Sequence, residues 1–366
     1  DVTVRVPCGT AAGTYTNTTS TLTGTSSSSN LTADPATADL IVTAIAISFT
    51  APADLCVNAG IQTNLGGGTP IGGTYSGSGV VDDGNGMTYS FDPAAAGVGT
   101  HTITYTFIDG NGCTNTATDI IEVFALPSVT FTAPADLCVD AGVQMNLGGG
   151  TPTGGIYSGP GVPDGGDGMT YSFDPDAAGV GVQTITYTFT DGNGCTASAS
   201  DMIEVFALPV VAFTAPTDLC VDVGVQMSLG GGTPTGGIYS GPGVTDGGDG
   251  MTYSFDPMMA GVGVQTITYT FTDGNGCTAS ASDMIEVFAL PVVAFTAPTD
   301  LCVDAGVQMR LGGGTPTGGT YSGPGVTDSG DGMTYSFDPM MAGVGVQTIT
   351  YTFTDGNGCT ASASDM

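Results

Sequence analysis

Thr184-Ile-Thr-Tyr-Thr-Phe-Thr-Asp-Gly-Asn-Gly-Cys195 decides the fold. From 184 to 190 apolar residues alternate with threonine, the period of a half-buried strand, so Ile185, Tyr187 and Phe189 share one face. Asp191-Gly-Asn-Gly194 then supplies the turn of a β-hairpin, because its central positions tolerate positive φ. The stretch recurs at 102–113, 266–277 and 348–359.

Two cysteine series fix the period. Cys56, Cys138, Cys220 and Cys302 are spaced by 82 residues, as are Cys113, Cys195, Cys277 and Cys359. Ala212–Met284 and Ala294–Met366 differ at four positions: Val223/Ala305, Ser228/Arg310, Ile238/Thr320 and Gly247/Ser329. Such self-similarity marks a repeat protein. The units run 47–127, 128–209, 210–291 and 292–366, the last truncated. In the second unit further strands are expected at Val129–Thr132, Val143–Leu147, Gly155–Ser158, Met169–Phe173 and from Cys195 to Phe206, with one helical turn near Asp174–Gly179. Six or seven short strands per 82 residues, without a helical pattern, predict an all-β chain of tandem immunoglobulin-like β-sandwich repeats. Residues 1–46 read as the C-terminal part of a preceding β-sandwich domain whose start is missing. The joints Ala125-Leu-Pro127, Ala207-Leu-Pro209 and Ala289-Leu-Pro291 are short and carry proline, which predicts stiff connections and an extended rod.

Composition agrees with this class. The 366 residues hold 61 Gly, two Lys or Arg, no Trp and a net charge of −32. Arg5 and Arg310 are the only cationic side chains besides the single histidine, and the lack of Lys, Arg and Glu speaks against long helices. The acidity excludes nucleic acid as a partner, since phosphate binding needs clustered cations. No stretch of 18 apolar residues predicts membrane insertion. The chain opens in strand-like sequence with no visible signal peptide, and reads as an internal fragment.

Evenly spaced cysteines in a Gly/Thr-rich β-chain point to an oxidising, extracellular setting. Zinc is disfavoured by the absence of a CxxC pair and by the single His101. Disulfides are expected at Cys56, Cys113, Cys138, Cys195, Cys220, Cys277, Cys302 and Cys359. Two pairings respect the period: within a unit, as Cys138–Cys195, or across a joint, as Cys113–Cys138. If strands alternate up and down, the two cysteines of one unit lie at the same end, so the within-unit staple is the expectation. Under tension such a staple would leave only the chain outside it to extend. Cys8 has no counterpart, and is expected to have lost its partner or to stand free.

Each unit also carries acidic turns. Asp82-Asp-Gly-Asn-Gly86 recurs around Asp164 and Asp167, Asp246 and Asp249, and Asp328 and Asp331. With Asp83 these carboxylates could surround Ca2+, or they could simply be what a tight turn requires. No other cofactor is expected. No distinctive acid–base pair appears, and the chain is expected not to be an enzyme. His101 aligns with Gln183, Gln265 and Gln347 and is expected on an exposed strand position. Met258-Met259 and Met340-Met341 are read either as adaptable contact surface or as core filling. Asn17-Thr-Thr and Asn30-Leu-Thr match the glycosylation sequon.

The series Gly-Gly-x-Tyr-Ser-Gly-x-Gly-Val, Phe-Asp-Pro-x-x-Ala-Gly-Val-Gly, Thr-Ile-Thr-Tyr-Thr-Phe-x-Asp-Gly-Asn-Gly-Cys and Ala-Leu-Pro resembles the Ig-like or PKD-like repeats of giant cell-surface proteins of Bacteroidota. Those include gliding adhesins and filamentous appendages exported by the type IX system. The resemblance covers 47–366; residues 1–46 resemble the end of a different bacterial surface repeat. It implies a sandwich fold, a surface location and an adhesive or spacer role, and it transfers no catalytic residue. Two roles then compete: a structural shaft, single or laterally bundled with identical chains, and a binding module for surface glycans or other cells. Near-identity of whole units favours the shaft. An accessory array of a secreted hydrolase is a third reading.

Overall fold

The computed structural model describes residues 6–18, 22–26, 29–33 and 37–366. Arg5 and Thr19 of the first sequon lie outside the described residues, as does the Asn30 side chain. The chain divides into two compact units. One comprises residues up to 135 with 143–178 and 182–203; the other comprises 136–142, 179–181 and 204–366.

In the first unit the repeat from 47 folds as two facing sheets. One has four strands in the order Leu55–Cys56, Thr114–Phe124, Gly99–Ile108, Thr74–Ser76. The other has three, Gln62–Leu65, Tyr89–Phe91 and Val80–Asp82. The long pair is the predicted hairpin: Gly99 faces Val123 and Ile108 faces Thr114. Between the sheets lie Phe49, Tyr75, Tyr89, Phe91, Ile103, Tyr105, Ile121 and Val123, all buried. The threonines alternate to the outer face, as the period of two requires. Pro93–Ala96 forms a single helical turn, capped by the Asp92 carboxylate, which accepts from the Ala94 and Ala95 N–H groups.

The second repeat contributes to this unit the pairs Gln144–Leu147 with Tyr171–Phe173 and Ile156–Ser158 with Thr186–Thr188. The strand expected at Val129–Thr132 is reduced to one bridge, Thr130 to Thr151. Ahead of the repeats, Gly13–Thr18 pairs antiparallel with Thr37–Val42, and Leu22–Ser26 with Ser29–Ala33. The first of these ribbons is almost entirely exposed.

In the other unit the repeat from 210 reproduces the architecture, with sheets ordered Leu219–Cys220, Thr278–Phe288, Gly263–Thr272, Ile238–Ser240 and Gln226–Leu229, Tyr253–Phe255, Val244–Asp246. Its core substitutes Phe213, Tyr239, Tyr253, Phe255, Ile267, Tyr269, Ile285 and Val287 position for position. The repeat from 292 keeps the three-stranded sheet. Its other sheet is shorter, with Thr320–Ser322, Ile349–Thr354 and Thr360–Asp365.

The tyrosines explain the recurring Leu-Gly-Gly-Gly-Thr-Pro loop. The Tyr105 ring lies flat on the backbone at Gly68 and Gly73, where an added Cβ would stand 2.6 and 2.5 Å from ring atoms. Its hydroxyl accepts from the Gly73 N–H at 2.9 Å and donates to the Pro70 carbonyl. A β-carbon at either glycine would lift the ring off both partners.

One strand departs from the expected topology, with consequences for every cysteine. Leu55–Cys56 runs parallel to the last strand of its repeat, with Cys56 opposite Phe124. It does not begin an up-and-down meander.

Candidate functional site

The parallel register places the two cysteines of a repeat at opposite ends. Cys56 lies opposite Phe124, whereas Cys113 precedes Thr114 at the hairpin tip. Eleven residues of strand separate these levels, ~36 Å at ~3.3 Å per residue. A disulfide needs Cα atoms within ~7 Å. The within-unit staple is therefore impossible, and the alternative Cys113–Cys138 does not form either.

The bonds are Cys8–Cys113, Cys56–Cys195, Cys138–Cys277 and Cys220–Cys359, with Cα–Cα distances of 5.3 to 5.6 Å. The early cysteine of each of the first three repeats meets the hairpin-tip cysteine of the next, 139 residues on. Cys8, expected to be unpaired, takes the tip cysteine of the first repeat. Cys302, expected in a bridge, is free and exposed, because Cys359 is taken by Cys220. Each tip is held by its own turn: the Asp191 carboxylate accepts from the Asn193 and Cys195 N–H groups, both at 2.9 Å. Asp109, Asp273 and Asp355 do the same for Cys113, Cys277 and Cys359. Disulfides in this number belong to an oxidising environment, and the protein is extracellular.

The acidic turns use their carboxylates on the backbone. Asp164 accepts from the Tyr157 and Gly166 N–H groups at 2.8 and 3.0 Å. Asp167 accepts from Met169 N–H, Thr170 N–H and Thr170 Oγ1 at 2.7 to 2.8 Å. Asp246 and Asp249, then Asp328 and Asp331, repeat these bonds. In the first repeat Asp82 matches Asp164, Asn85 takes the place of Asp167, and Asp83 accepts from Thr88 Oγ1. Donors around Asp167, Asp249 and Asp331 hold these carboxyls below the usual carboxylate range, the Met169, Met251 and Met333 N–H groups most strongly. Among the described residues no group of three His, Cys, Asp or Glu side chains could hold a metal ion.

A second set of carboxylates escaped the sequence reading. Asp119 accepts from the Ala51 N–H at 2.9 Å, tying the start of the repeat to its last strand, and Asp201, Asp283 and Asp365 do likewise for Ala133, Ala215 and Ala297. These bonds also hold the four carboxyls below their ordinary value. The signal was a recurring Asp at an inward position of a strand, where a charge needs a partner.

His101 is half-buried and bonds the Gly97 carbonyl through Nε2 at 2.7 Å. Gln265 and Gln347 make the equivalent bond, so the position serves backbone order. Met258, Met259, Met340 and Met341 are all exposed, which excludes core filling. No described helix is long and apolar enough to cross a membrane.

No protein-family model matches the chain. Two curated relatives are both named hyalin. The protein of Strongylocentrotus purpuratus is 28% identical over 69% of this chain and 22% of its own length. That of Lytechinus variegatus is 29% identical over 71% of this chain and 50% of its own. The chain thus spans half or less of the relatives it matches. Among solved structures, a Ca2+-stabilized ice-binding adhesin of an Antarctic bacterium aligns over 88% of this chain and 98% of its own, at 15% identity and a TM-score of 0.36. The insect immune protein hemolin aligns over 87% and 97%, at 11% identity and 0.23. These likenesses are too low to assign a function.

Proposed function

We propose that this chain is a length of an extracellular adhesive protein in which tandem sandwiches form a tension-bearing shaft, without catalysis. The observation that carries the reading is that the four disulfide loops overlap: each loop opens before the preceding one has closed. A bridge confined to one sandwich would protect that sandwich alone. An overlapping series joins every repeat to its neighbour twice, once through the peptide and once through sulfur.

The shortest covalent route from Cys8 to Cys359 passes along the chain to Cys56, across to Cys195, on to Cys220 and across again. It contains ~73 residues of peptide, roughly 250 Å at full stretch, against roughly 1,200 Å for the reduced chain. Single-molecule pulling between handles beside Cys8 and Cys359 measures this. An oxidised contour gain equal to that after full reduction would refute the shaft.

Export by a type IX route and a place in a Bacteroidota surface appendage rest on the motif resemblance, and the full-length gene tests them through a sorting domain or its absence. The carboxylates of Asp82, Asp164, Asp167, Asp246, Asp249, Asp328 and Asp331 accept from backbone N–H groups, which supports a turn role over a calcium site. Calcium and chelator are expected to give the same melting temperature.

A further inference from the structure

Methionine is ordinarily among the most buried residue types, and in this chain it is confined to the surface. Of fourteen methionines, the thirteen from Met87 to Met341 are all exposed. None belongs to the cores built on Phe49, Phe213 and Phe295, which are made of Tyr, Phe, Ile and Val with Leu and Ala at their edges. Met258, Met259, Met340 and Met341 stand out furthest, at 71 to 77% exposed. The repeats from 47, 128 and 210 carry one, three and five methionines in turn.

What the fold takes from these residues is their backbone. The Met169, Met251 and Met333 N–H groups donate to the Asp167, Asp249 and Asp331 carboxylates at 2.8 to 2.9 Å. Those of Met258 and Met259 both donate to Asp256, and those of Met202 and Met284 to Asp201 and Asp283. Any residue except proline supplies such a donor. The side chains are interchangeable. The first repeat has Thr63 where Met145, Met227 and Met309 stand, Ala94 and Ala95 for the methionine pairs, and Ile120 for Met202 and Met284. Packing therefore gives no reason for sulfur at these places.

We propose that the exposed methionines are modification sites that take oxygen from two-electron oxidants, hydroperoxides and hypohalous acids, and so spare the disulfides. The thioether sulfur attacks one oxygen of the peroxide with a lone pair. The O–O bond breaks, an S–O bond forms, and the other oxygen leaves as water with the proton of the transferred one. Sulfur is oxidised by two electrons and the peroxide is reduced by two. Hypochlorous acid gives the same sulfoxide and releases chloride and a proton. A sulfoxide is polar and disrupts a core that holds it. On these exposed side chains it meets water, and the backbone bonds that order each site stay as they are. A sulfur between two carbons is also more electron-rich than one bonded to sulfur, so the surface thioethers react ahead of the eight bridged sulfurs. The inference stands independently of the shaft.

The test titrates the full chain with hypochlorous acid at neutral pH, after the thiol of Cys302 has been capped with iodoacetamide. The product is cleaved at aspartate without reduction and mapped by mass spectrometry. Each of the thirteen methionines is expected to gain one oxygen while all four bridged peptide pairs are still recovered, and the oxidised chain is expected to melt where the untreated one does. A ninefold variant carries the first repeat's residues: Met145→Thr, Met227→Thr, Met309→Thr, Met202→Ile, Met284→Ile, and Met258, Met259, Met340 and Met341→Ala. It keeps five of the fourteen thioethers. It is expected to melt like the parent and to lose half of its bridged peptides at roughly one third of the parent's dose, since oxidation follows the exposed sulfur available. Bridges lost from the parent before its methionines are consumed would overturn the proposal, whether or not the variant folds. So would equal bridge loss in parent and variant at one dose. A melting temperature that falls as oxygen is added would make the sulfurs structural and overturn it as well.

Discussion

Two tyrosines in the same core answer opposite demands. Tyr187 accepts from the Gly155 N–H at 2.8 Å and donates to the Pro152 carbonyl. Tyr187→Phe is expected to cost about 1–3 kcal/mol, because two buried backbone groups lose a partner. The Tyr171 hydroxyl is buried with no partner, as are those of Tyr89, Tyr253 and Tyr335. Tyr171→Phe is expected to be neutral or to stabilise by up to about 1 kcal/mol. Urea denaturation of the two variants separates the cases. Burial also pushes the Tyr171 pKa up to about 12. A raised folded value contributes stability that is complete below the unfolded value of about 10 and lost as pH climbs toward the folded one. The carboxyls of Asp119, Asp201, Asp283 and Asp365 run the other way. Their contribution is present above about pH 4 and disappears as pH falls through the depressed folded values. Replacing all four by Asn is expected to lower the melting temperature at pH 7 and to flatten its acid limb.

At the scale of elements, the hairpin was legible and the first short strand was not. Alternation from Thr184 to Thr190 and the Asp-Gly-Asn-Gly turn fix a local ladder whose partners are adjacent in sequence. The helical turn at Pro175–Ala178 and the repeated tyrosine positions are local in the same sense. Leu55–Cys56 is two residues long and pairs with Val123–Phe124, nearly seventy residues on, and no periodicity survives in so short a strand. Its direction, parallel where antiparallel was expected, moved Cys56 to the far end of the sandwich and changed every disulfide partner. The acidic turns were legible as turns. The clasp from Asp119 to Ala51 was not, since its acceptor and donor are 68 residues apart. Cys138→Ser removes one bridge and also frees the tip thiol of Cys277. The variant is expected to lose about 2–5 kcal/mol, and peptide mapping of the parent after cleavage at aspartate, which falls between all three cysteines, should recover Cys138 linked to Cys277. Recovery of Cys138 with Cys195 would restore the within-repeat staple.

For the molecule as a whole, a net charge of −32 with only two Lys or Arg leaves carboxylates repelling one another with little internal compensation. Salt shortens the reach of that repulsion to ~10 Å at 0.1 M. Raising NaCl from about 0.01 to 0.5 M, where the reach contracts further, is expected to raise the melting temperature, read by calorimetry at constant pH. The overlapping bridges carry one more consequence, for survival among extracellular proteases. Any single peptide bond cut between Cys8 and Cys359 falls inside at least one sulfur-closed loop. A nicked molecule therefore migrates as one band on a non-reducing gel and separates into two once reductant is added, so isolated proteolytic wounds leave the strand unsevered.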